Sequence, residues 1–108
     1  MAHFDFEQMN AIQQELQEKY KEKWGGLSPQ AGRNQLLWML AEAGEVADIM
    51  KKKGNDAIMN DADTRGAFIE EMCDVMMYFN DVLLCYGITP DEFEKVYLEK
   101  HRRNMGRW

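Results

Sequence analysis

Glu42-Ala43-Gly44-Glu45 and Glu71-Met72-Cys73-Asp74 decide how this chain reads. In each stretch the acids stand three residues apart, a spacing that puts both on one face of a helix. Around Glu71 the neighbours Phe68, Met72, Val75, Met76, Phe79, Val82 and Leu83 are apolar. Advancing about 100° per residue, they cover most of the helix circumference. Glu70, Glu71, Asp74 and Asp81 are confined to one narrow stripe. A helix that is apolar almost all round is expected to be buried. Carboxylates on such a helix need something to neutralise them. Two facing helices, each presenting an acidic pair, can share a hard cation. Acids at this spacing also occur on ordinary solvated faces, and a single pair would carry no such reading.

Outward from these stretches the helical period continues. The spacing predicts a first helix over 5–23, with Asp5 as N-cap and Met9, Ile12, Leu16 and Tyr20 on its apolar face. Trp24-Gly25-Gly26-Leu27 ends it. Ser28-Pro29 starts a second helix, with proline at the first helical position. Leu36, Leu37, Met39, Leu40, Val46, Ile49 and Met50 line this helix to about Lys53, where Gly54 stops it. Residues 54–63 read as a polar loop. A third helix runs from Asp63 or Thr64 to Tyr86, with Gly87 as its stop. Thr89-Pro90-Asp91-Glu92 is a capping box opening a fourth helix towards Asn104.

The expected fold is all-α: one domain over 1–108, a four-helix antiparallel bundle with short connections. The third helix carries more apolar surface than one small bundle covers, so a homodimer or homotetramer should complete it. The nine methionines suit an adaptable core or interface.

Composition narrows the function. The formal charge of −6 argues against binding a nucleic acid polymer. No apolar run approaches the roughly 20 residues of a membrane span. The start, Met1-Ala2-His3-Phe4-Asp5-Phe6, lacks the basic-then-apolar pattern of a signal peptide. Cys73 and Cys85 fall on one predicted helix, about 18 Å apart along its axis, and read as reduced core thiols of a cytoplasmic protein. They lack metal-binding spacing and the basic setting of a nucleophile. Oxygen-only ligation favours Mg²⁺, Mn²⁺ or Ca²⁺ over zinc. Neither acidic pair is followed by the histidine that a di-iron carboxylate bundle uses. Both histidines, His3 and His101, lie far along the chain from the acids.

The run Leu40-Ala41-Glu42-Ala43-Gly44-Glu45-Val46-Ala47, followed by Glu70-Glu71-Met72-Cys73-Asp74-Val75-Met76-Met77-Tyr78, resembles the MazG family of all-α nucleoside triphosphate pyrophosphatases. The resemblance extends from the second helix to the C-terminus. It implies that Glu42, Glu45, Glu71 and Asp74 are catalytic Mg²⁺ ligands. It also implies hydrolysis of a nucleoside triphosphate between its α- and β-phosphates, as in nucleotide-pool house-cleaning. Many members carry a further Glu just before the first pair. Ala41 stands there, so if that acid serves as base or second-metal ligand in the family, Glu45 or Glu70 must replace it here, or the reaction is slower. Trp38 lies one turn before Glu42 and Tyr78 one turn after Asp74. Both are expected to flank the nucleobase unless they are ordinary core aromatics, and Asn34 on the same face is a further base contact. Lys100, Asn104 and Arg107 resemble the family's Lys-x-x-x-Asn-x-x-Arg phosphate contacts. They equally suit a solvated helix end that complements the dipole. Lys51, Lys52 and Lys53 read mainly as such a surface, with Lys52 a weaker phosphate candidate. Two rival expectations are a phosphoribosyl-ATP pyrophosphatase and a helical regulatory module without activity.

Overall fold

The structure, a computed structural model, describes residues 4–107. Met1, Ala2, His3 and Trp108 lie outside the described residues. The described chain is all-helical: α1 (Phe6–Lys19), α2 (Lys21–Trp24), α3 (Pro29–Asn60), α4 (Ala62–Cys85) and α5 (Pro90–Met105).

Local chemistry accounts for most helix starts. Asp5 caps α1 by accepting from the Gln8 N–H at 2.9 Å. Thr89 Oγ1 caps α5 by accepting from the Glu92 N–H at 3.2 Å. Each satisfies a backbone donor that the first helical turn leaves unpaired. Pro29 and Pro90 stand in first turns, where no N–H is missed.

Two boundaries differ from the expected ones. The predicted first helix is interrupted at Tyr20 (φ −106°, ψ 18°), and residues 21–24 form the separate α2. The Tyr20 and Trp24 rings pack 4.7 Å apart across this break. Gly54 does not end its helix. It takes φ 82° and ψ 166°, which a residue without a Cβ tolerates, and kinks α3 while the helix resumes to Asn60. The polar sequence after Gly54 forms helix because its polar groups pair locally. Asn60 Nδ2 donates to Asp56 Oδ1 at 2.8 Å, and Arg65 Nη1 donates to the Ile58 carbonyl at 3.3 Å. No polar loop therefore separates the helices. Asp61 alone turns the chain and caps α4, accepting from the Thr64 N–H at 3.0 Å. The cap lies two residues before the predicted start at Asp63.

This one-residue connection makes α3 and α4 a tight hairpin. Gly32, near the start of α3, faces the Tyr86 ring at the end of α4, and Glu42 faces Glu71 midway. The two helices are therefore antiparallel. A Cβ built on Gly32 would run into Tyr86 Oη, so glycine permits the ring to lie against the helix. Helix α1 packs on α4, and α5 reaches the rest at α1 and through one ring. Phe93 stacks on Phe6 at 5.0 Å and meets Phe79 edge-on at 5.4 Å.

The single chain has a small core. Among the described residues, Val46, Leu83 and Cys85 are the buried apolar side chains. Leu36, Leu37, Leu40, Ile69, Met72, Met76, Val96 and Leu98 are exposed. The helix around Glu71, expected to be buried, is thus open over much of its apolar surface. Cys73 is exposed and not a core thiol, whereas Cys85 is buried. A compact monomer of 12.7 kDa exposes about 6,200 Å². This chain exposes 8615 Å². Its radius of gyration is 16.3 Å, against about 13 Å for a compact chain of this length. Among the described residues no helix is long and apolar enough to cross a membrane.

Candidate metal centre and adjoining cleft

The hairpin brings acids from two helices to one point. One carboxylate oxygen each from Glu42, Glu71 and Asp74 lie within 4.8 Å of one another. All three side chains are partly buried. Glu45, the fourth predicted ligand, is exposed and outside this group. It remains close enough for its charge to act on Glu71.

Burial pushes the Glu71 carboxyl above its ordinary range, as do a hydrogen bond to Glu42 and the charges of Asp74, Glu42 and Glu45. A hydrogen bond between two carboxyl groups requires a proton on one of them. Glu71 Oε2 is also buried without a hydrogen-bond partner. A buried acceptor left unpaired among like charges is the arrangement a cation relieves. Ligand oxygens about 2.1 Å from Mg²⁺, or about 2.4 Å from Ca²⁺, are at most about 4–5 Å apart across the ion. The three oxygens fit a hard divalent cation on both donor type and spacing.

Beside these acids opens a cleft of about 360 Å³. Asp74, Tyr78 and Asp81 line it from α4, and Gln35 and Trp38 from α3. Helices α1 and α2 add Gln13, Leu16, Gln17 and Trp24. Two predicted base contacts, Trp38 and Tyr78, thus stand in the cleft. Burial raises the Tyr78 pKa, assisted by the charges of Glu42, Asp81 and Asp74, so its phenol is held neutral. Asn34 is exposed and not part of the lining.

The predicted phosphate contacts stand elsewhere. Lys100 and Asn104 line a second groove, of about 370 Å³, with Phe93, Val96, Tyr97 and His101. Arg107 is exposed beyond them. Helix α5 does not pack against α3, so one chain does not bring these residues to the acidic cluster. Lys52 pairs with Asp48 at 2.8 Å on an exposed face, as a surface residue would.

Sequence reasoning missed the amide side of the cleft. Asp81 is 2% exposed and accepts from Gln13 Nε2 at 2.8 Å. Burial pushes its carboxyl up, while hydrogen bonds from Gln13 and Gln17 pull it down. The available signal was Gln13 and Gln17 at i, i+4, together with an acid two turns after Asp74 on an apolar helix.

The fold and site define an all-helical chain with a three-carboxylate cluster on an antiparallel helix pair, beside an aromatic-walled cleft. Comparison of the chain with protein-family models, with curated proteins and with solved structures finds no match.

The raised carboxyls make stability depend on pH. A group whose pKa is higher in the folded state binds its proton more tightly there. Its stabilising contribution is complete below the unfolded value and is lost as pH rises through the folded value. Glu71 and Asp81 act in the same direction. In EDTA, the melting temperature should therefore be higher near pH 5.5 than near pH 7.5. Millimolar Mg²⁺ should raise it mainly at the higher pH, narrowing the gap. Thermal melts under the four conditions test this; no effect of Mg²⁺ near pH 7.5 would contradict cation binding at this cluster.

Proposed function

We propose that this chain is a MazG-like, Mg²⁺-dependent nucleoside triphosphate pyrophosphohydrolase, acting as a cytoplasmic homo-oligomer. The observation that carries this reading is the convergence of Glu42, Glu71 and Asp74 from two helices, with Glu71 Oε2 buried and unpaired. These three side chains would hold Mg²⁺, or Mn²⁺ in its place. Held there, such an ion would supply positive charge to offset the negative charge that grows on the phosphate in the transition state.

The chain's own groups supply the rest. Glu45 is solvent-exposed at the cluster's edge, and Glu71 responds to its charge. That position lets Glu45 take the proton of a water attacking the α-phosphorus in line. Glu70 is exposed too, but it is not among the charges acting on Glu71. Trp38 and Tyr78 hold the base in the cleft. Lys100, Asn104 and Arg107 reach the phosphates from a partner chain, since α5 of the same chain does not approach α3. Surface well above the compact-monomer value, with leucines and methionines exposed on α3 and α4, supports such a partner.

Incubation with a nucleotide panel and Mg²⁺, followed by phosphorus NMR, tests the reaction. The expected products are monophosphate and pyrophosphate. A diphosphate with free phosphate would exclude attack at the α-phosphorus, and no turnover of any nucleotide would exclude the enzyme.

A further inference from the structure

The cleft has two ends of different chemistry. Asp74 belongs to the acidic cluster, and Asp81 lies two helical turns further along α4, about 10 Å at 1.5 Å per residue. Both line the same cleft, with Tyr78 between them in sequence. If phosphate is held at Asp74, a nucleoside laid along α4 carries its base towards Asp81.

The Asp81 end is rich in acceptors. The Asp81 side chain is almost wholly buried, and its hydrogen-bond donors are the amides of Gln13 and Gln17. A carboxylate offers about four lone-pair positions, so two donors leave spare acceptor capacity on a residue that lines the cleft. Across from it on α3, Gln35 Oε1 is buried with no hydrogen-bond partner. One unpaired acceptor and one carboxylate with spare acceptor capacity in the same aromatic-walled cleft call for a ligand that donates. An exocyclic amine does so. A carbonyl set in the same place opposes acceptor to acceptor and leaves both unpaired.

Resting on the pyrophosphohydrolase reading, we propose that Asp81, assisted by Gln35, reads the base. The cleft selects nucleotides whose base presents an exocyclic amine at the edge remote from the sugar (cytosine or adenine) over those that present a carbonyl there (thymine, uracil or guanine). Leaving buried acceptors unpaired against a carbonyl corresponds to roughly 10- to 100-fold in discrimination.

Two measurements test this on the full chain, one of them independent of turnover. The first is quenching of tryptophan fluorescence by dCMP, dAMP, dGMP and dTMP, since Trp24 and Trp38 line the cleft. The second is kcat/KM for the four deoxynucleoside triphosphates. In the wild type, the thymine and guanine nucleotides should be weaker than the cytosine and adenine nucleotides in both by at least about tenfold. Asp81→Asn keeps an oxygen for Gln13 but adds an amide donor, and should shrink the thymine penalty to about twofold or reverse it. Gln35→Met should shrink it less, and it decides the matter together with the wild-type ranking if Asp81→Asn proves misfolded by circular dichroism. Turnover with no penalty against thymine, or a folded Asp81→Asn with an unchanged penalty, would overturn base reading while the enzyme reading stands. Ranked binding of the monophosphates with no turnover would do the reverse. Neither ranked binding nor turnover would sink both.

Discussion

Glu71→Gln should lower turnover by roughly 100- to 1,000-fold or more, the scale of losing a principal electrostatic contact to the transition state. The same substitution should raise the melting temperature of the EDTA-treated protein near pH 7.5. The two effects share one cause. Glu71 stands against Glu42 and Asp74 with its carboxyl held above the ordinary range and one oxygen unpaired. A neutral amide of similar shape removes this like-charge repulsion. Asp74→Asn should likewise abolish turnover while leaving the helical circular dichroism intact. A purely structural role would give the opposite pattern, with lost stability and retained turnover. Near-normal activity in either variant would remove the cluster from the mechanism.

The second large effect concerns the tail. Lys100→Ala combined with Arg107→Ala should cost about 10- to 100-fold or more in kcat/KM on all accepted nucleotides alike, because phosphate oxygens are common to them. Neither variant should recover when refolded alone. Co-refolding Glu71→Gln chains with the tail double variant should restore about a quarter of wild-type turnover in a dimer: random pairing makes half the dimers mixed, and each mixed dimer contains one complete site. The expectation follows from the separation of the Lys100 groove from the acidic cluster within one chain. If the tail acted within its own chain, every site in the mixed dimer would carry a defect and no activity would return. Unchanged kinetics in the double variant would reduce the tail to a solvated helix end.

Selectivity divides along the same cleft. On the proposed reading, the acids and the tail would address groups present on every nucleotide. Asp81, Gln35, Trp38 and Tyr78 would address the base, so changes there should reorder substrates rather than slow all of them equally.

Helix class and most helix starts were legible in the sequence because they are local. A period of 3.6 and a cap three residues from its donor involve one turn of chain, as at Asp5 and Thr89. The acids were legible as two same-face pairs for the same reason. Three-residue spacing says nothing of how far one helix is rotated against the next, so it does not tell which members of the pairs meet. The tertiary structure decided that, through the single-residue turn at Asp61 and the seating of Tyr86 against Gly32. These set the register in which Glu42 faces Glu71 and Asp74, while Glu45 stays at the edge. The helix after Gly54 was illegible because its stability comes from pairings such as Asn60 with Asp56 and Arg65 with Ile58, which composition reads only as polarity. The bond from Gln13 to Asp81 joins residues far apart in the chain. Only the packing of α1 on α4 turns an acid on an apolar helix into the polar end of a cleft.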